Sequence, residues 1–249
     1  MLFDKAFVEA VGEIYDPRMG TEHVATLLYS LIRGARPRRV LEVGMGYTSC
    51  FILKALADNV ADFDRERAAV VEAVKGNPVG NRPEVEGLPF VEFDHYRTPY
   101  RPALHAIDAL VHPHSGAAKV MEAARGLGLD EYLRFHQADF RGCSQRLEDE
   151  DLPLDFIWLD AGGYASYTAF AAEYWDLLNP DGGLWLIHST LTNLEAIAFV
   201  RELKLRQATN AFHDFELVSV LEPHKVAQNS FTLIRKTSGY AERLYTMKP

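Results

Sequence analysis

The sequence predicts an α/β fold: a doubly wound, mostly parallel sheet of seven strands with an antiparallel carboxyl-terminal strand pair, preceded by helices and interrupted by one insertion. Three observations predict it. Short apolar runs of strand length alternate with longer helical segments, the rhythm of parallel strands joined by crossover helices. Several of those runs end in an acid or in glycine, and the carboxyl edge of such a sheet is where ligands bind. At 249 residues and 48% hydrophobic, the chain is long enough to bury one sizeable core, so a single domain suffices.

The elements follow in order. Helices come first, FDKAFVEAVGEIY and TEHVATLLYSLIRGA; in the second, Thr21 is a suitable cap and Leu27, Leu28 and Leu31 supply an apolar face. Residues 1–36 therefore read as a helical extension. Pro37 and two arginines lead into RRVLEVG, a buried strand at 39–43 that leaves through Gly44 and Gly46. The next helix is expected to start near Thr48 or Ser49 and to end near Ala57. Residues 59–101 form the insertion, a charged helical piece, DFDRERAAVVEAVKG, followed by a Pro-, Gly- and aromatic-rich stretch. Its Phe90, Phe93, Tyr96 and Tyr100 supply apolar surface that a disordered linker would waste, which favours a lid or dimer arm.

The α/β rhythm then resumes. Strand ALHAID (103–108) is followed by a helix capped by Ser115, strand LRFHQADF, strand LDFIWLD (154–160) and helix YTAFAAEYWDLL. The turn NPDGG, strand GLWLIHS (183–189), a helix near TNLEAIAFVRELK and the closing strands FELVSVLEP and NSFTLIRK complete the chain.

Bulk composition narrows the partners. With 35 acids against 26 bases and a formal charge of −9, the chain offers no broad cationic surface, so nucleic acid is not the expected partner. Cys50 and Cys143 lie far apart without metal-ligand spacing and read as reduced structural thiols, which fits a cytoplasmic location. The first residues carry acids early and lack the apolar run of a signal peptide, and no stretch reaches the roughly 20 apolar residues of a membrane span.

The stretch VLEVGMGYTS concentrates the chemistry. Two glycines after a buried strand let the backbone turn tightly and approach a ligand, with the positive end of the next helix facing it. A dinucleotide site wants G-x-G-x-x-G and an acid about 20 residues later. Here Ser49 stands at the third glycine position and the following stretch reads as helix, so that fingerprint is incomplete. A lone Gly-x-Gly also closes ordinary strand-to-helix turns. Asp108, Asp139 and Asp160 each stand at or near a strand end, where each alone reads as readily as a helix cap or loop acid as it does as a ligand contact; with Glu42 they form a pattern.

On these residues the chain resembles the class I S-adenosylmethionine-dependent methyltransferases. VLEVGMGYTS is similar to their first motif, acid-x-Gly-x-Gly, and the order LHAID, QAD, DFIWLD, NPDGGLWLIH and a terminal strand pair resembles the family over nearly the whole chain after residue 20. The small-molecule O-methyltransferase branches, the catechol type included, look closest; the NPDGG turn carries an extra Asp181. The resemblance implies a Rossmann-like sheet and S-adenosylmethionine as cofactor. It implies that Gly44 and Gly46 approach the methionine portion, that Glu42 orders that loop, and that Tyr47 and Ser49 adjoin the cofactor. It assigns the ribose hydroxyls to Asp108, the adenine amino edge to Asp139 with the Ala138 backbone, and a place near sulfonium and acceptor to Asp160.

Two departures from the family pattern stand out. The ribose acid usually follows the first motif by about 20 residues, whereas Asp108 lies beyond the insertion, and Asp58, Asp62 and Asp64 are nearer alternatives. The catechol-type metal site uses an acid after the fourth strand and an Asp-Asn pair after the fifth, where this chain has Asp160, then His188 and Ser189.

Methyl transfer from a sulfonium is an in-line displacement, and an oxygen nucleophile must also lose a proton, so a base or a metal is needed. His188 is the candidate base, oriented by Asp160; the competing reading is a packed strand-end histidine. Asp160 and His188, with a third ligand from Asn193 or the substrate, would suit Mn, Fe or Zn, but the missing Asp-Asn pair favours metal-free action. The acceptor is expected against Tyr164 and Tyr167, with His95 and Tyr96 of the insertion, whereas Trp185 reads as core. His224, Lys225 and Asn229 read either as an anionic-substrate site or as a solvated hairpin. The expected function is O-methylation of a small molecule by a chain able to form a homodimer. N-methylation of a small amine, an NAD-linked oxidoreductase and an inactive cofactor-binding partner subunit are the alternatives.

Overall fold

Alternation along the central strands decides the layering. The computed structural model describes residues 3–75, 93–111, 115–160, 167–192, 194–209 and 214–239. Its strands are β1 (Arg39–Val43), β2 (Ala103–Asp108), β3 (Leu133–Gln137), β4 (Phe156–Leu159), β5 (Leu184–His188), β6 (Phe215–Leu221) and β7 (Ser230–Lys236). They form one seven-stranded sheet in the order β3-β2-β1-β4-β5-β7-β6. β1 to β5 pair in parallel, while β7 runs antiparallel to both β5 and β6. The expected doubly wound sheet with its closing pair is the observed one, and its order reverses at β1 and β4, where such sheets open a crevice.

Because strand side chains alternate between faces, each inner strand feeds two cores. Val40, Ala106, Trp158 and Leu186 face one side, beneath α1 (Lys5–Gly12), α2 (Glu22–Ala35), α3 (Tyr47–Lys75) and α4 (Ala117–Gly126). Leu41, Ile107, Ile157, Trp185 and Ile187 face the other, against Phe170 and Tyr174 of α5 (Tyr167–Tyr174) and Phe199 and Leu203 of α6 (Leu194–Thr209). Trp185 is a core residue, as expected, and Cys50 and Cys143 are free and buried.

Several boundaries differ from the sequence expectation. Thr21 occupies the cap position of α2 but makes no capping hydrogen bond, whereas Asp4 does cap α1, accepting from the Phe7 amide at 2.8 Å. α3 does not stop near Ala57. It continues to Lys75, because Leu56, Val60, Phe63 and Val70 keep a helical spacing and have partners to pack on. Arg33 pairs with Asp62 and Asn59, and Arg36 donates to Glu66 at 2.8 Å, so α2 holds this extension along its length. Phe63 stacks on Tyr96 at 5.1 Å, and Tyr100 joins the same cluster. The first part of the expected insertion is thus a continuation of α3, and its last part folds back on that helix. Residues 76–92, with Phe90, lie outside the described residues. Among the described residues no helix is long and apolar enough to cross a membrane.

Candidate active site at the carboxyl edge of the sheet

Strand parity gathers the polar residues. Glu42 pairs in register with Ala106 and with Trp158, and Trp158 with Leu186. Two residues further along each of these strands, on the same face, stand Asp108, Asp160 and His188. One layer at the end of adjacent strands therefore carries two carboxylates and an imidazole, with Glu42 one layer beneath.

At that level β1 leaves the sheet. Gly44 has φ +93°, a conformation that favours glycine, and its amide donates to the Ile107 carbonyl at 3.0 Å while the Asp160 amide donates to Val43 at 2.9 Å. A Cβ at Gly46 would meet nothing within 4 Å, so the space beside this turn is open to a ligand. Gly116 packs the start of α4 against the turn, its would-be Cβ 3.3 Å from the Gly46 Cα. The Gly46 amide donates to Ser49 Oγ at 2.9 Å, which ties the turn to the first turn of α3.

Glu42 is fully buried. Its Oε1 accepts from the Thr48 hydroxyl at 2.9 Å, and Thr48 in turn accepts from the Trp158 indole at 3.2 Å. Burial pushes its carboxyl up to about 8, against the hydrogen bonds from Ser49 and Thr48 and with the charges of Asp160 and Asp108 adding to the rise. The result is a largely protonated acid buried under the turn.

Asp108 is more committed than its sequence position implied. Its Oδ1 accepts from the Leu110 amide at 2.7 Å, and its Oδ2 accepts from the Met45 amide and the Ser115 hydroxyl, both at 3.2 Å. It joins the glycine turn, the end of β2 and the approach to α4. An ionised carboxylate has about four lone-pair sites, so it retains capacity for a ligand hydroxyl. Ser115, expected as the cap of α4, is not its cap: Gly116 occupies that position without a side-chain bond, and the Ser115 hydroxyl instead donates to Asp108 and accepts from the Ala117 amide at 3.4 Å.

His188 is buried, and its Nδ1 lies 2.8 Å from Asp160 Oδ1. The carboxylate fixes the tautomer with the proton on Nδ1 and leaves Nε2 with its lone pair. That Nε2 is buried with no hydrogen-bond partner among the described residues. Burial works to lower the imidazole's proton affinity, but the Asp160 charge and hydrogen bond outweigh it and leave the pKa raised above 6.5. The Trp158 ring, 5.7 Å away between centroids, packs beside it. A fixed imidazole with an unspent lone pair, two carboxylates and an open glycine turn fit a ligand that carries hydroxyls and a positive centre.

The model of the methyltransferase domain family matches residues 41–190, which run from β1 past the end of β5 and hold this whole layer. The chain belongs to the methyltransferase domain family. This methyltransferase is similar in fold to the O-methyltransferase TomG of Streptomyces achromogenes, described as involved in tomaymycin synthesis and crystallised with S-adenosylmethionine. The identity is 16% and the TM-score 0.59, over 94% of this chain and 91% of that one. It is also similar to an O-methyltransferase of Bacillus cereus in complex with S-adenosylhomocysteine, at 12% identity and TM-score 0.58 over 94% and 92% of the two chains. No curated protein matches the sequence. The family match overturns the oxidoreductase alternative.

The other expected residues of the methyltransferase stand around this edge with their side chains committed in different ways. Tyr47 opens α3 with its ring against Tyr15 at 5.3 Å and Phe51 at 5.0 Å, turned to the amino-terminal helices. Asp139 lies just past β3, caps its own loop by accepting from the Arg141 amide at 2.9 Å and pairs with the Arg141 guanidinium at 3.3 Å; the neighbouring Ala138 amide donates to the Asp108 carbonyl. Tyr167 is buried and stacked on Phe199, close enough to Asp160 to feel its charge, and burial pushes its hydroxyl up to about 12. Tyr164 and Asn193 lie outside the described residues.

His95 and Tyr96 are at the wrong end. His95 shares a groove of about 500 Å³ with Arg39 and Ala103, the first residues of β1 and β2, and Tyr96 donates to Glu66 on α3 at 2.9 Å. Two of the nearer acids are spent as well: Asp58 accepts from Tyr29 and Lys54, and Asp62 pairs with Arg33, while Asp64 is exposed on α3. Thr48 and Trp158 were missed as site residues. Trp158 stands two positions before Asp160, so strand parity was the signal that could have found it.

Proposed function

We infer that this methyltransferase moves the methyl group of S-adenosylmethionine to an oxygen of a small molecule, with His188 as base and Asp160 as the carboxylate that orients it. The observation that carries the reading is the His188–Asp160 pair, 2.8 Å apart at the layer where the glycine turn opens. When bound, the cofactor supplies an electrophilic methyl group on a sulfonium.

The chain's own residues do the rest. Gly44 and Gly46 give the cofactor's methionine portion close access to backbone, Glu42 with Thr48 and Ser49 keeps that turn rigid, and Asp108 takes a ribose hydroxyl with its remaining lone pair. Asp139 and Ala138 border the base-binding side, while Tyr167 borders Asp160 from α5. With an acceptor hydroxyl at this layer, His188 Nε2 would take its proton as the oxygen accepts the methyl group. Asp160 holds the resulting imidazolium. The likeness to TomG and to the Bacillus cereus enzyme supports the cofactor and the oxygen acceptor; the net charge of −9 supports a small molecule over a polynucleotide.

Calorimetric titration with S-adenosylhomocysteine, with NADH as control and EDTA present throughout, tests the reading. Binding of the first ligand alone is expected, followed by turnover on a phenol or a related hydroxyl acceptor in the same buffer. An activity abolished by EDTA and restored by a divalent ion would remove His188 as the base, and failure to bind S-adenosylhomocysteine would leave the inactive partner subunit.

A further inference from the structure

We propose that His23, Glu222 and His224 bind a divalent transition-metal ion, and that this ion fastens the β6–β7 turn to the first turn of α2. His23 lies in that first helical turn; Glu222 and His224 lie about 200 residues later, in the turn that follows β6. One ligand atom from each of the three lies within 4.8 Å of the other two. The two imidazole rings meet at 5.2 Å between centroids, and His224 Nε2 is 3.9 Å from Glu222 Oε2.

The donor set selects the ion. Two neutral imidazoles and one carboxylate suit Zn²⁺, Co²⁺ or Ni²⁺ and are poor ligands for Mg²⁺ or Ca²⁺, which want oxygen donors. A tetrahedral site with bonds of about 2.0–2.2 Å has edges of about 3.4 Å, so small rotations bring the three donors into range. His23 and His224 are free to make them, with side chains 63% and 58% exposed. Glu222 is the fixed member. Its turn is pinned by its own amide to the Asn229 carbonyl at 2.6 Å and by the Lys225 amide to the Glu222 carbonyl at 3.2 Å.

Charge permits the ion despite a nearby ammonium. Lys225 Nζ is 2.8 Å from Glu222 Oε2 and 2.7 Å from Glu22 Oε1, so Lys225 keeps Glu22 as its partner when the Glu222 side chain, on its fixed backbone, gives an oxygen to the metal. With Glu22, Glu222 and Lys225 the neighbourhood carries a net negative charge before an ion arrives. The site is separate from Asp160 and His188, although Lys225 and Glu222 both act electrostatically on His188. The ion thus acts as a tie between elements, while the base chemistry stays with His188.

The test uses the full, untagged chain, stripped with chelator and titrated with Zn²⁺ by calorimetry and with Co²⁺ by visible absorption. One ion per chain is expected, with the intense d–d bands of a tetrahedral Co²⁺ site and a raised melting temperature. Loss of outer-shell partners alone costs about 10–100-fold in metal affinity, so His23→Ala, His224→Ala and Glu222→Gln should each weaken binding more than about tenfold. His188→Ala should leave it intact. The histidines are exposed, so their variants fold, and unchanged S-adenosylhomocysteine affinity in them separates this proposal from the assignment of the active site. No uptake by the wild-type chain, uptake unchanged in the double His23→Ala, His224→Ala variant, or uptake lost only in His188→Ala would overturn it.

Discussion

At His188, burial and charge pull in opposite directions, and the neighbouring carboxylate wins. An imidazole whose pKa is raised above 6.5 is an active base only once it has lost its proton, so kcat should climb with pH through that raised pKa and level off above it. His188→Ala should lower kcat by about 10²–10⁴-fold with cofactor affinity unchanged. Asp160→Asn removes the charge that raises the pKa, so the rising limb should move to lower pH while kcat falls; a limb that stays in place would mean another group titrates. Glu42 gives a second pH dependence, in stability. Its carboxyl is held near 8 in the fold against an ordinary 4.5, so the folded chain binds the extra proton between those values. Stability from this group is complete below about pH 4.5 and is lost as pH rises towards 8. Glu42→Gln should flatten that fall, as read from urea unfolding at pH 5.5 and pH 8.

At the scale of the element, α3 shows how a pattern read correctly can still be cut short. Its first turn faces the glycine turn, and its second half crosses to the opposite end of the sheet, where Phe63, Val70, Tyr96 and Tyr100 make a small core of their own. The charged sequence DFDRERAAVVEAV was expected as a separate helical piece of the insertion; two of its acids, Asp62 and Glu66, pair with Arg33 and Arg36 of α2 and hold it as a continuation of α3. Phe63→Ala should cost about 3–5 kcal/mol of unfolding free energy, the range for truncating a buried phenylalanine. It should leave S-adenosylhomocysteine affinity unchanged, since that cluster adjoins the amino edge. A loss of affinity without a loss of stability would return Tyr96 and its neighbours to the binding site.

For the whole molecule, the site sits where the sheet order reverses, between β1 and β4, so ligand and fold share the same strands. A ligand held at about 100 times its Kd stabilises the fold by about 2.7 kcal/mol, and in a chain of this size each kcal/mol moves Tm by about 2–4 °C. Saturating S-adenosylhomocysteine should therefore raise Tm by about 5–10 °C, a shift that differential scanning calorimetry resolves and that NADH should not produce. By itself the sequence determined the strand and helix order, the glycine turn and the strand-end residues Glu42, Asp108, Asp160 and His188, because two-residue and 3.6-residue periods and a positive-φ glycine are local properties. Only the tertiary structure decided which of them meet. Strand order and register put Asp160 against His188 and spend most of Asp108 on the protein's own loops, and the unbroken run of α3 carried His95 and Tyr96 to the far edge. Those outcomes depend on contacts between residues far apart in the chain, which a local period does not encode.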